Sequence, residues 1–216
     1  MTLKQQALSL YREVFPEDSE DFAKSFTDRY FDNCCRYTLS DGKLVSMLYL
    51  LDCSIFDGEK TYPAKYLYAA ATHPEHRNKG LMSSLISSVL GEEKIIVTKP
   101  ATKELFFFYE KFGFSVCSFK DYAQREFHSS ERLNAEQYKA LRKELLKNIP
   151  HISLSDEKFT LDGFTFYGND NYCAAVDPED KIVKEYLSED APHSKNPFAM
   201  WTLKNKKPVY FGLAMD

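Results

Sequence analysis

The chain has 216 residues and a formal net charge of -4, with Lys+Arg 28 against Asp+Glu 32, and no basic run of the kind a dedicated nucleic-acid binder carries. Hydrophobic residues make up 44% and aromatic residues 15%, with only Gly 8 and Pro 9, which excludes collagen-like and disordered chains and supplies a core without disulfides or metals. The longest apolar run, Tyr66–Ala71, is far short of a bilayer span, and Met1–Gln6 lacks the apolar stretch of a signal peptide, so neither a membrane nor a nucleic acid is expected as partner.

Leu3, Ala7, Leu10, Tyr11 and Val14 recur at helical spacing and stop at Pro16. Asp18 and Ser19 can cap a second helix whose face is marked by Phe22, Phe26 and Tyr30. A strand over Arg36–Leu39, a tight turn at Asp41-Gly42, and a strand over Leu44–Leu51 follow. The second strand is apolar on both faces, as in a sheet covered on both sides. Beyond a polar loop at Asp57–Lys60, Tyr66–Thr72 is a strand that runs through His73-Pro74 to Gly80 and into a helix striped by Leu81, Leu85, Ile86, Val89 and Leu90. Lys94–Thr98 is a strand, Lys103–Phe112 a helix closed by Gly113, and Phe114–Phe119 a further strand. This alternation gives an α/β (α+β) class, a mixed sheet flanked by helices.

A charged helix over Ala135–Asn148, packed by Tyr138, Leu141 and Leu145, leads into a smaller β-rich C-terminal part. Its hairpin signature is Phe159–Leu161, Asp162-Gly163, Phe164–Tyr167, and Cys173–Val176, Lys181–Leu187, Phe198–Leu203 and Val209–Ala214 add strands. The expected division is 1–128 and 129–216. The five cysteines (Cys34, Cys35, Cys53, Cys117, Cys173) contain no C-x-x-C pair and are read as reduced core thiols of a cytoplasmic protein.

Two stretches carry chemistry. In Ala70-Ala71-Thr72-His73-Pro74-Glu75-His76-Arg77-Asn78-Lys79-Gly80-Leu81-Met82 a strand ends, a one-glycine loop follows and a helix begins. Main-chain N–H groups at a helix start lack intrahelical partners and sit at the positive end of its dipole, which suits a pyrophosphate. Gly80 removes the Cβ that would hold the phosphates off. The second stretch is Tyr109-Glu110-Lys111-Phe112-Gly113-Phe114. Taken singly, the first also fits an ordinary strand–loop–helix corner, and Tyr109 also fits a core aromatic.

Together, Arg77-x-x-Gly80-x-Met82 resembles the R/Q-x-x-G-x-G/A loop of the GNAT superfamily of acetyl-CoA-dependent N-acetyltransferases, and Tyr109-x-x-x-Gly113-Phe114 resembles that family's tyrosine motif. The resemblance covers residues 1–120. It implies that Ala70, Ala71 and Thr72 pair with the pantetheine arm, and that Arg77, Asn78, Lys79, Gly80, Leu81, Met82 and Ser83 hold the pyrophosphate of acetyl-CoA (CoA). Tyr109 then protonates the departing thiolate. Met82 stands where the family has Gly or Ala, and Thr102 lies where many members carry an asparagine. No metal is expected. His73, Glu75, His76, Asp52 and Cys53 are the residues near enough in sequence to serve as a general base, each with an ordinary structural role as the competing reading, and a water chain is the remaining alternative.

The implied function is transfer of an acetyl group to a primary amine, of a small molecule or peptide, by direct attack in a ternary complex. The alternative is a catalytically inactive acyl-CoA-binding regulatory module. The C-terminal part would complete the acceptor pocket, form a homodimer surface, or be a degenerate second copy of the fold. It has no phosphate loop, so one cofactor site per chain is expected.

Overall fold

The computed structural model describes residues 1–120, 131–156, 161, 163–178, 182–188 and 196–212. The chain forms two compact units, Met1–Asp52 with Ala64–Phe114, and Cys53–Pro63 with Ser115–Asp216. The boundary expected near residue 129 lies outside the described residues.

In the first unit, α1 (Leu3–Val14) opens on a capping box in which the Thr2 side chain accepts from the Gln5 amide and Gln5 reaches back to the Thr2 amide. Pro16 follows its end, and Ser19, not Asp18, caps α2 (Glu20–Cys34) by accepting from the Phe22 amide at 3.1 Å. Glu20 and Asp21 place negative charge at the positive end of that helix. β1 (Cys35–Ser40) pairs antiparallel with β2 (Lys43–Phe56) through a turn in which Asp41 and Gly42 both take positive φ, 50° and 75°. Leu44–Leu51 of β2 is buried at every position, as its two-faced apolar pattern predicts.

β3 (Thr61–Thr72) lies beside β2 and pairs in parallel with β4 (Ile96–Thr98), α3 (Leu81–Glu92) making the connection. α4 (Lys103–Glu110) is followed by Gly113 at φ 83°, and the Phe114 amide returns to the Tyr109 carbonyl. Phe26 of α2 is the centre of the core between helices and sheet. Its ring lies 5.5 Å from Tyr11, 5.0 Å from Tyr30, 4.8 Å from Tyr49 and 5.2 Å from Tyr68, the last two edge-on.

In the second unit, β5 (Ser115–Phe119) and β6 (Arg132–Leu133) precede α5 (Ala135–Leu146), which starts on an Asn134/Gln137 capping box. β7 (His151–Leu154) pairs antiparallel with the Cys53–Phe56 end of β2. β8 (Thr165–Asn169), β9 (Tyr172–Val176) and β10 (Val183–Ser188) form an antiparallel sheet with β6 in the order β10-β9-β8-β6, and β11 (Pro197–Trp201) pairs with β5. Tyr138 of α5 stacks on Phe166 at 4.5 Å within a core that includes Leu146, Leu161, Ala175 and Leu187.

The class read from the sequence is the one observed: helices on a largely antiparallel sheet with one parallel pair, and a second, smaller sheet in the C-terminal part. Three details differ. β8 is flanked by β6 and β9, and the turn into β9 is closed by the Asn169 side chain accepting from the Asn171 amide at 2.9 Å. The other arm of the expected hairpin falls largely outside the described residues. The strand expected at Val209–Ala214 is not regular over its described part: Tyr210 makes a single bridge to His151, and Val209 donates to the Cys117 carbonyl. The strand expected from Lys181 begins, within the described residues, at Val183.

Glu185 of β10 is the surprise of this unit. A glutamate in a strand is ordinarily a solvent-face residue, yet this one is 1% exposed. It accepts from Arg142 Nε at 2.8 Å and Nη2 at 3.3 Å, from Tyr210 at 2.8 Å, and from Tyr138. Burial pushes its carboxyl up, but the Arg142 charge and these hydrogen bonds outweigh it and hold the group below its ordinary value. Among the described residues no helix is long and apolar enough to cross a membrane, and the five cysteines form no disulfide.

Candidate functional site

The site begins where β3 and β4 part. Their register runs Lys65↔Ile96, Tyr66↔Val97, Leu67↔Thr98 and stops, while β3 continues to Thr72. Two residues past the last pair, Ala69 takes φ 47°, a left-handed conformation that an alanine adopts only when its surroundings impose it. Ala70, Ala71 and Thr72 follow this kink. Ser46 of β2 holds them from the other side, its hydroxyl donating to the Ala71 carbonyl at 3.3 Å and lying 2.9 Å from Thr72 Oγ1. The strand edge beyond Leu67 is thus fixed on one side and has run past its neighbour on the other.

The loop after β3 is folded by its own side chains. The His73 amide donates to the Val45 carbonyl at 2.9 Å, and His73 Nδ1 accepts from the Glu75 amide. Pro74–His76 form one 3-10 turn. Arg77 then reaches back, its Nε donating to the Thr72 carbonyl at 3.1 Å. Arg77 therefore ties the loop to the end of β3, while its amide, expected to face the pyrophosphate, donates instead to the Pro74 carbonyl at 3.2 Å. Asn78 and Gly80 both take positive φ, 61° and 76°, and Gly80 is the N-cap of α3 with no side-chain cap.

The first α3 bond formed at this end is from the Ser84 amide to the Gly80 carbonyl, 2.9 Å. The amides of Leu81, Met82 and Ser83 have no acceptor among the described residues, which is the vacancy every uncapped helix start leaves. A Cβ built on Gly80 meets nothing within 4 Å, so the glycine answers the backbone angle and leaves an open surface beside those amides. Arg77, Asn78, Lys79 and Gly80 are exposed, and Leu81, Met82 and Ser83 half-buried. These residues fit a diphosphate: open amides, a helix dipole and a glycine at the approach. The Met82 amide is one of the three without an acceptor among the described residues.

Tyr109 is 4% exposed. Its hydroxyl lies beside Thr98, and Thr98 Oγ1 donates to the Leu67 carbonyl at 3.1 Å. The phenol therefore lies next to the last residue pair before the strands separate. Burial, offset in part by the neighbouring Thr98, pushes it up to about 12, so the phenol is neutral at physiological pH.

The residues considered as a base separate into two groups. His73, Glu75 and His76 come together with Glu13, Ser9 and Lys43 around a surface hollow of about 410 Å³, where His73 Nε2 lies 3.6 Å from Glu13 Oε2. Asp52 forms an exposed ion pair with Lys65 at 2.7 Å, and Cys53 is buried. A larger hollow of about 590 Å³ belongs to the second unit, between α5 and β7, and contains none of the expected site residues.

One cluster escaped the sequence reading. The Tyr11 hydroxyl donates to Asp18 Oδ2 at 2.5 Å and lies 3.3 Å from the Tyr68 hydroxyl. Tyr11 belongs to the apolar stripe of α1 and Asp18 to the helix-capping region, so nothing local marks them as partners of a strand tyrosine.

A family model described as an acetyltransferase (GNAT) domain matches residues 2–117. The chain belongs to the GNAT acetyltransferase family, which places it among acyltransferases. No curated protein matches it in sequence. Among solved structures, a GCN5-related N-acetyltransferase from Kribbella flavida superposes with a TM-score of 0.60 at 17% identity, covering 88% of this chain and 57% of that one. One from Anabaena variabilis gives 0.60 at 17%, covering 85% and 56%. A putative acetyltransferase from Pyrococcus horikoshii gives 0.61 at 9%, covering 98% and 91%. At these identities the likeness is one of fold, and the chain spans little more than half the length of the first two.

Proposed function

We propose that this protein is an acetyl-CoA-dependent N-acetyltransferase that moves an acetyl group to a primary amine by direct attack in a ternary complex. The observation that carries the reading is the convergence at the end of the β3–β4 register. A strand edge that outruns its partner, a helix start with three open amides, and a buried neutral phenol beside Thr98 all belong to one stretch of the first unit.

In this reading acetyl-CoA supplies the activated acyl group. Leu81, Met82 and Ser83 amides, with the loop Arg77–Gly80, bind its diphosphate, and Arg77 keeps that loop against Thr72. Ala70, Ala71 and Thr72 receive the pantetheine arm along the strand edge. Tyr109 delivers a proton to the sulfur that leaves. The acceptor is an amine of a small molecule or peptide, and five cysteines without a disulfide agree with a cytoplasmic setting.

The direct test is calorimetry with CoA followed by thiol release over a panel of primary amines. Binding with turnover supports the proposal. Binding without turnover across a broad panel, or no binding at all, overturns it.

A further inference from the structure

The trio Tyr11, Asp18 and Tyr68 has a direction. Tyr11 has one hydroxyl proton, and it is committed to Asp18 Oδ2 at 2.5 Å. The 3.3 Å contact between the two phenols is therefore made by the Tyr68 proton, donated to the Tyr11 oxygen. The chain of donors runs Tyr68 to Tyr11 to Asp18, and the Tyr68 oxygen keeps its own acceptor positions open. Tyr11 is fully buried, whereas Tyr68 and Asp18 are half-buried and reachable. Asp18 Oδ1 has no hydrogen-bond partner among the described residues.

The position of Tyr68 is the second observation. It is the residue between Leu67, the last of β3 to hold register with β4, and the kinked Ala69. At ~3.3 Å per residue it lies within about 7 Å along the strand of Ala70, where the separated edge starts. Its ring packs edge-on to Phe26 at 5.2 Å and against Tyr66 at 6.0 Å. An aromatic wall with a carboxylate behind it suits a primary ammonium, by charge and by cation–π attraction.

We propose that Tyr68, Tyr11 and Asp18 form a proton relay that accepts the acceptor amine's proton, with Tyr68 touching the nitrogen and Asp18 as the terminus. The inference rests on the acetyl-transfer reading and deepens it. The ammonium gives one proton to the Tyr68 oxygen, the Tyr68 proton passes to Tyr11, and the Tyr11 proton to Asp18 Oδ2. The freed lone pair forms the C–N bond to the thioester carbon, and the C–S bond breaks with its electrons on sulfur. Sulfur takes the Tyr109 proton, and the nitrogen's second proton restores Tyr109 through solvent. The balance is ammonium, acetyl-CoA and Asp18 carboxylate giving amide, CoA thiol and Asp18 carboxylic acid, which then loses its proton to solvent.

The groups facing the terminus are Tyr11 from α1, Tyr68 from β3 and Glu17 beside it in the chain. Burial raises the Asp18 carboxyl above its ordinary value, the Tyr11 hydrogen bond offsets part of this and Glu17 adds to it. Asp18 is a better base than a surface aspartate for that reason. Burial also pushes Tyr68 up to about 12, so it passes a proton and does not hold a charge.

The test uses the full chain as wild type, Asp18→Asn, Asp18→Glu and Tyr68→Phe, with CoA affinity by calorimetry, melting temperature, and thiol release against pH over an amine panel. Asp18→Asn and Tyr68→Phe are expected to bind CoA within about twofold of wild type and to lose ~100-fold in kcat/KM for the amine near neutrality. That loss shrinks by about tenfold per pH unit as free amine replaces ammonium, and Asp18→Glu recovers part of it. Turnover unchanged in both variants overturns the relay and leaves acetyl transfer standing. A pH-independent loss, or lost CoA binding with a lowered melting temperature in both, assigns the trio to the fold and overturns the relay. A wild type that binds CoA and turns over no amine, or does not bind CoA, overturns acetyl transfer and the relay with it.

Discussion

The Thr98 hydroxyl lies beside the Tyr109 phenol while donating to the Leu67 carbonyl at 3.1 Å. One small side chain thus links the end of the strand register to the buried phenol. Tyr109→Phe keeps the ring packing against Phe114 and removes only the donor. Thiol release is expected to fall ~100-fold, with CoA affinity unchanged by calorimetry. Thr98→Val should give a smaller loss. Because burial places the phenol at about 12, wild-type rates should show no alkaline decline from this group at any pH below ~11.

Gly80 has space around it and no freedom of angle. A side chain would meet nothing within 4 Å, but φ is 76°. Left-handed backbone costs about 1–2 kcal/mol for a residue with a Cβ, so Gly80→Val should either destabilise the protein by that amount or relax the loop and weaken CoA binding by roughly 5–30-fold. Gly80→Asn should lose less, since asparagine tolerates this region better. Calorimetry and thermal melting of both variants separate strain from crowding; equal effects would point to a lost approach surface.

Phe26 contacts five other aromatic rings of the first unit, those of Tyr11, Phe22, Tyr30, Tyr49 and Tyr68. Phe26→Ala is expected to cost about 3–5 kcal/mol through lost burial and a residual cavity, read as a shift in the urea midpoint. It also frees the Tyr68 ring, so a loss of amine turnover should accompany it.

Glu185 makes the second unit sensitive to acid. Burial pushes its carboxyl up, but Arg142 and the hydroxyls of Tyr138 and Tyr210 outweigh it and hold the group below its ordinary value. A depressed native value means the contribution is complete above the unfolded value of about 4.3 and is lost as pH falls through the native one. Glu185→Gln leaves Arg142 buried beside a neutral amide, which should cost about 3–5 kcal/mol near neutrality and flatten the acid side of the stability–pH curve. Denaturant titrations at several pH values check both.

Features set by neighbours in the chain could be read from the sequence. Ser19 caps α2, Asp41-Gly42 turns β1 into β2, Gly80 opens α3 and Gly113 follows α4 because each depends on a few consecutive residues. The two-faced burial of Leu44–Leu51 is written in its unbroken apolar run. The trio Tyr11–Asp18–Tyr68 was not legible, since its members come from a helix, a loop and a strand and each has an ordinary local reading. Glu185 was hidden for the same reason. Its strand looks half-solvated until Arg142, Tyr138 and Tyr210 arrive from other elements. The tip Cys53–Pro63 grouping with Ser115–Asp216 is likewise a tertiary fact, decided by the β7 pairing at Cys53↔Leu154 through Phe56↔His151.

That last pairing bears on any shortened version of the protein. A fragment trimmed at residue 117, where the family match ends, would retain Cys53–Phe56 but not His151–Leu154, leaving four residues of strand with bare amides and carbonyls. Asp57 would also lose its partner Lys206, 2.7 Å away. Such a fragment should self-associate through that open edge, and supplying a peptide spanning His151–Leu154 in trans should suppress it.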